Sequence, residues 1–152
     1  MNSVSQRLAE LGIELPSVPP PAAKYIPAIR TGQLVYTSGQ LPTVDDVLPA
    51  AGKVGAEVTA EDAAGYARTC ALNALAAVHD LVGIDSVVRV VKLLGFVAST
   101  PDFTEQPAVI NGASELLVEV FGEAGAHARS AVGVAVLPLN APVEIEMIVE
   151  IR

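Results

Sequence analysis

The stretch Ala128-Arg129-Ser130-Ala131-Val132-Gly133-Val134-Ala135-Val136-Leu137-Pro138, followed by Val143-Glu144-Ile145-Glu146, decides the fold. Apolar and polar residues alternate through both segments, the pattern of two strands with one covered face. Val132, Val134 and Val136 fall on one side of the first strand, and Arg129, Ala131, Gly133 and Ala135 on the other. A guanidinium at the head of a strand whose open side carries only Ala and Gly leaves room for a flat group. Its planar fork suits a carboxylate. The plainer alternative is a strand-start arginine paired with one of the 17 acidic residues. Pattern alone favours that alternative by a small margin.

Working outward, the 152 residues suffice for one domain with a genuine core. Hydrophobic residues make up 51% and charged residues 17%, too little polar surface for a monomer of this size, so part of the surface is expected to be buried subunit contact. The net charge of -8, with nine scattered Lys and Arg, argues against a nucleic-acid partner. A single cysteine, Cys70, excludes an internal disulfide framework and any multi-cysteine metal site. The N-terminus lacks the basic-then-apolar pattern of a signal peptide, and no apolar run reaches the roughly 20 residues of a membrane span. A soluble, cytoplasmic protein without membrane partners is expected.

Ser3 to Leu11 reads as a short helix capped by Ser3 and stopped by Gly12, followed by a stiff connector over Pro16 to Pro21. Residues 1–22 thus form an N-terminal helix and connector, and residues 23–152 a single domain. A hairpin is expected over Tyr25–Arg30 and Gln33–Gly39, turning at Thr31-Gly32, with a loop from Pro42 to Gly55. Thr59, three residues before Asp62, opens a long helix to about Val82, whose apolar stripe is Ala63, Ala67, Cys70, Ala71, Ala74, Val78 and Leu81. Ser86–Ser99 reads as a strand, and a second helix starts near Pro107 and closes at Gly122. The order is β-β-α-β-α-β-β, an α+β fold with a mixed sheet and both helices on one face. The other face, expected to carry Arg129, Ala131 and Gly133, needs a cover, and a neighbouring copy is the natural one.

The chain has no phosphate loop, no dinucleotide-binding glycine motif and no nucleophile elbow. Two histidines are too few for a typical zinc site, so no metal and no cofactor is expected. His79 reads as a solvated or core-edge residue, His127 as a loop position with a lesser claim to a pocket rim, and Cys70 as core. What remains is a dispersed polar set of Tyr25, Ser38, Asn111, Arg129 and Glu144. Each has a plain reading: strand residue, turn former, helix-surface amide, ion-pair partner, solvated acid.

In combination they resemble a family. Tyr25, then Tyr36-Thr37-Ser38-Gly39-Gln40-Leu41-Pro42, then Ala128-Arg129-Ser130 leading to Leu137-Pro138 and Glu144-Ile145-Glu146, is similar to the RidA (YjgF/YER057c/UK114) superfamily. The resemblance covers nearly the whole chain. It implies a chorismate-mutase-like fold and a homotrimer with three clefts between subunits. It also implies hydrolysis of 2-imino acids or enamines to 2-keto acids and ammonia. By position, Arg129 matches the carboxylate-binding arginine and Glu144 the acid that holds or activates water. Tyr25, Ser38, Gly39, Asn111 and Ala131 match pocket-lining positions, with the Ser38–Gly39 turn offering a backbone N–H. Many members carry Cys where this chain has Ala131, and Gly125-Ala126-His127-Ala128 replaces their usual Pro before Ala-Arg. The Phe103–Asn111 segment is a few residues longer than in the short members. The N-terminal helix and connector are extra, so the chain resembles the longer RidA-like branch.

Were the last two strands a hairpin turning near Asn140, Arg129 would face Ile151, roughly 20 Å from Glu144. One pocket then requires either different pairing or a Glu144 from another subunit, and the second is adopted here. The functions expected are an imine/enamine deaminase or a non-catalytic trimer that binds small carboxylates. An endoribonuclease is disfavoured by the acidic balance.

Overall fold

A computed structural model describes residues 2–20 and 24–152. The expected boundary between residues 22 and 23, and the end of the connector at Pro21, lie outside the described residues.

Helix α1 spans Val4–Glu10 and carries a capping box, with Ser3 Oγ accepting from the Gln6 N–H and the Gln6 side chain accepting from the Ser3 N–H. It docks through buried Leu8, and its Ser5 donates from N–H and Oγ to the Asp85 carboxylate at 2.8 and 2.7 Å. Strands β1 (Ala28–Thr31) and β2 (Leu34–Thr37) form the expected hairpin, but it starts later and ends earlier, and its turn lies at Gly32-Gln33 rather than Thr31-Gly32 because Thr31 pairs with Leu34.

Helix α2 runs Ala60–Val82. Thr59 accepts from the Asp62 N–H, and Glu61 and Asp62 place negative charge in the first turn, where the helix dipole favours it. The expected stripe is buried except at its end, where Leu81 is exposed, and it is wider than read, with Leu75, Ala76 and Ala77 buried as well. Strand β3 (Val87–Ala98), helix α3 (Gln106–Phe121), strand β4 (Ala128–Val134) and strand β5 (Val143–Ile151) complete the chain.

The sheet order is β1-β2-β5-β3-β4, antiparallel except for the parallel β3–β4 pair that α3 connects. On β5, Val143, Ile145, Met147, Val149 and Ile151 are buried toward the helices, while the residues between them are half-buried on the other face. This is the expected α+β architecture with a mixed sheet.

Two expectations about the last strands are corrected. They do not pair with each other, because β3 lies between them. The faces of β4 are also the reverse of those read from its pattern. Arg129, Ala131 and Gly133 pair with Leu93, Gly95 and Val97, placing them on the helix side. The small residues are needed there: a Cβ on Gly133 would stand 2.8 Å from both Gln106 Nε2 and Ser99 Oγ. Val132 points outward and is 43% exposed. It joins exposed Ile29 and Tyr36 and half-buried Leu94, Phe96 and Ile148 on the side of the sheet that no helix of the described residues covers.

Candidate functional site

Arg129 lies on the edge strand where α3 passes. Its Nη1 donates to Ser114 Oγ at 3.0 Å and its Nη2 to the Pro107 carbonyl at 3.3 Å. Both acceptors are neutral. Among the described residues the ion pairs are Arg7–Glu10 and Arg68–Glu119, so the plain reading of Arg129 as a salt-bridge partner does not hold. A guanidinium has five N–H donors in a fixed fork, so most of the fork and all of its charge remain for a ligand. Asn111 follows Pro107 by four residues and precedes Ser114 by three, which sets it in the same helical row beside the guanidinium; it is exposed. Ala131, half-buried, is the next residue on this side of β4.

Glu144 belongs to the other face, opposite Phe96. It is half-buried, and this burial, with the charge of Glu146 two residues on, pushes its carboxyl above the usual carboxylate range. Its carboxylate rests on Gly39: a Cβ there would stand 2.9 Å from both Cδ and Oε2. Ser38 donates from Oγ to the Ile26 carbonyl at 2.6 Å and from its N–H to the Pro27 carbonyl at 2.8 Å. The Ser38 N–H is therefore spent, whereas among the described residues the Gly39 N–H has no acceptor. These bonds tie the turn to the segment after Tyr25, which is 60% exposed.

One consequence is testable at Gly39. The atoms a Cβ would meet are the end of a flexible side chain, so Gly39→Ala should displace the Glu144 carboxylate and spare the fold. The melting temperature is expected to change little, while a crystal structure of the variant shows the Glu144 carboxylate moved off the turn. A full loss of folding would show instead that the turn itself cannot take a side chain.

The seven sequence-predicted residues fall into two groups. Arg129, Asn111 and Ala131 gather on the helix side of one sheet edge. Glu144, Gly39, Ser38 and the Tyr25 segment gather around the uncovered face. Glu144 is three residues from Met147, the β5 position level with Arg129 across β3. From strand spacing and rise, the two backbones stand roughly 14 Å apart, with side chains on opposite faces. A single chain does not bring the groups together.

Sequence reasoning missed Ser114 and undervalued His127. The half-buried imidazole touches Ser114 Oγ through Nε2 at 2.9 Å and the Gly125 carbonyl through Nδ1 at 2.6 Å. Cys70 is buried, and desolvation pushes its thiol well above the ordinary range, as suits a core residue. His79 is exposed and its Nδ1 accepts from the Ile84 N–H at 3.1 Å, an end-of-helix contact. Among the described residues no cluster of three or more His, Cys, Asp or Glu could hold a metal, and no helix is long and apolar enough to cross a membrane.

Sheet order, helix placement and the two residue groups define one class of protein. The chain belongs to the RidA/YjgF superfamily: residues 5–151 match the family described as "YjgF/chorismate_mutase-like, putative endoribonuclease". Its sequence is 45% identical over 151 residues to protein TCP17 of Trypanosoma cruzi, covering 98% of this chain and 94% of that one. It is 34% identical over 143 residues to a 2-iminobutanoate/2-iminopropanoate deaminase of Dermatophagoides farinae, covering 92% and 95%. Among solved structures, Atu1372 of Agrobacterium tumefaciens superposes with a TM-score of 0.90 at 48% identity, over 98% of this chain and 92% of that one.

Proposed function

We propose that this protein is a cytoplasmic 2-imino acid/enamine deaminase, active as a homotrimer, with Arg129 clamping the substrate carboxylate and Glu144 of a neighbouring copy activating water. One observation carries the reading: among the described residues Arg129 is bonded to neutral acceptors of α3 alone, so its charge is uncompensated and most of its fork is left for a ligand. Support for a shared cleft comes from the separation of the two groups within one chain and from the apolar uncovered face. Burying that face against a copy is favourable at about 25 cal/mol per Å² of apolar area. The deaminase relative supports the reaction type.

The chemistry asks little. Water adds to the imine carbon, forming a C–O bond, and its proton passes by way of Glu144 to the nitrogen. The remaining hydroxyl proton then passes to the nitrogen as the C–N bond breaks and the C=O bond forms, giving a 2-keto acid and ammonia. Arg129 supplies orientation. Glu144 supplies general acid–base help worth on the order of 10²–10⁴ in rate, and a carboxyl raised above its usual range is a better base when ionised. The Gly39 N–H, without an acceptor among the described residues, donates to a polar atom of the substrate in this reading. Ala131, where a side chain would line the cleft, leaves extra space.

A non-catalytic trimer that binds small carboxylates shares the Arg129 clamp but gives Glu144 no task. The description of the matched family also carries an endoribonuclease label. A net charge of -8 and nine scattered basic residues do not suit a polyanion. The decisive assay generates 2-imino acids in situ with an amino-acid oxidase and follows keto-acid or ammonia release with and without this protein. Acceleration is expected, and background rates throughout would leave the binder. The acid limb of the pH–rate profile should lie above that of an ordinary glutamate, because Glu144 must be ionised to act and burial holds its proton on. That limb should vanish in Glu144→Gln; a limb that survives the substitution belongs to another group.

A further inference from the structure

The segment Gly125-Ala126-His127-Ala128-Arg129 holds a hydrogen-bond chain that ends on the clamp. Its direction follows from what each atom is able to do. The Gly125 carbonyl only accepts, so His127 Nδ1 carries a proton and donates to it at 2.6 Å. In the neutral ring Nε2 is then a bare acceptor, and Ser114 Oγ, 2.9 Å away, donates its proton there. The hydroxyl proton thus committed, the lone pairs of Ser114 Oγ face Arg129 Nη1 at 3.0 Å, a donor with no capacity to accept. Arg129, Ser114, His127 and the Gly125 carbonyl form one unidirectional series in which each bond polarises the next.

The far end is rigid. A Cβ on Gly125 would stand 2.1 Å from the Leu117 carbonyl oxygen, so Gly125 is a residue whose backbone lies directly on α3. Gly125 is buried, and α3 also supplies Ser114 and the Pro107 carbonyl that takes Nη2. Both ends of the series therefore rest on one helix, and the imidazole spans them.

We propose that His127 is a positioning residue for the carboxylate clamp: by taking the proton of Ser114 it fixes that hydroxyl as an acceptor and thereby sets the plane of the Arg129 guanidinium. This rests on the reading of Arg129 as the carboxylate clamp, and goes beyond it by naming what orients the fork. Without the imidazole, Ser114 is free to rotate and to present its own proton toward Arg129, and the guanidinium loses one of its two fixed contacts. The ligand then meets a fork that must be ordered on binding.

Two measurements test this on the full-length protein. The first needs no ligand: long-range ¹H–¹⁵N correlation spectra of histidine-labelled wild type at pH 8. The Nδ1–H tautomer is expected for His127, and an Nε2–H tautomer overturns the relay. The second is calorimetric titration with pyruvate of wild type, His127→Phe, His127→Gln, Ser114→Ala and the Ser114→Ala/His127→Phe double variant. His127→Phe is expected to weaken binding about 3- to 10-fold, the size of one lost neutral hydrogen bond. His127→Gln should restore most of that, because its Oε1 offers an acceptor where Nε2 stood. In the Ser114→Ala background His127→Phe should cost nothing further. An equal loss in both backgrounds overturns the relay, since His127 would then act without Ser114. A wild type that neither binds pyruvate nor turns over 2-imino acids overturns the proposed function instead, and the tautomer still decides whether the relay exists.

Discussion

Glu144→Gln is expected to lower turnover on 2-imino acids by about 100-fold or more, while affinity for a 2-oxo acid stays within about twofold. The substitution keeps the shape of the side chain and its capacity to bond and removes only the base. A group that works on water in the transition state should show its loss in kcat, leaving ground-state binding nearly intact. The wild-type carboxylate is half-buried beside Glu146 and held above its usual range, so a neutral amide removes both a desolvation cost and a like-charge repulsion. The variant should therefore melt at or above the wild-type temperature, separating lost chemistry from lost structure. Equal and substantial turnover in both proteins would leave catalysis to Arg129 and backbone donors, and the role of Glu144 would be wrong.

Arg129→Lys is expected to weaken carboxylate binding by about 1.5–3 kcal/mol, or roughly 10- to 150-fold in Kd. The charge survives, so any loss measures the fork. In the native arrangement Nη1 and Nη2 each rest on a neutral acceptor of α3, and the remaining donors lie in the same plane. A lysine ammonium reaches either acceptor or the ligand, and it carries no plane to impose on a carboxylate. Calorimetry with pyruvate and 2-oxobutanoate reads the effect. Unchanged affinity would mean that the anion binds elsewhere.

Much of the fold was legible because its signals are local. Thr59 with Asp62, Gly83 after Val82 and Pro107 in the first turn of α3 mark helix ends through atoms a few residues apart. The strand pairing was not legible: nothing in Ala128–Val134 says that it runs parallel to β3 rather than antiparallel to β5. The face of β4 was misread for a related reason. Covered valines are the usual case, but here the uncovered side of the sheet is itself apolar, with Ile29, Tyr36, Leu94, Phe96 and Ile148. Alternation then marks two faces without saying which one the helices take.

The candidate site was legible in part. Arg129 and Glu144 stand out through position in their strands and through the family resemblance. Ser114 and His127 do not, because their contact depends on how α3 lies against the segment entering β4. His127 in particular follows a buried glycine, and only the distance from Gly125 to the Leu117 carbonyl shows that this loop is clamped to the helix. A Gly-x-His-x-Arg spacing ahead of a strand was the one available sign.

The central claim is that Arg129 of one copy and Glu144 of another complete a single cleft. It is tested most directly by co-expressing Arg129→Ala and Glu144→Gln chains, each inactive alone, and purifying the mixed trimers. If each cleft lies between two neighbours in a cyclic trimer, random one-to-one mixing pairs an intact Arg129 with an intact Glu144 in about a quarter of the clefts. The account predicts recovery to about that fraction of wild-type turnover. Mixed trimers as inactive as either parent would place both residues in the same chain's cleft, or in none, and contradict it.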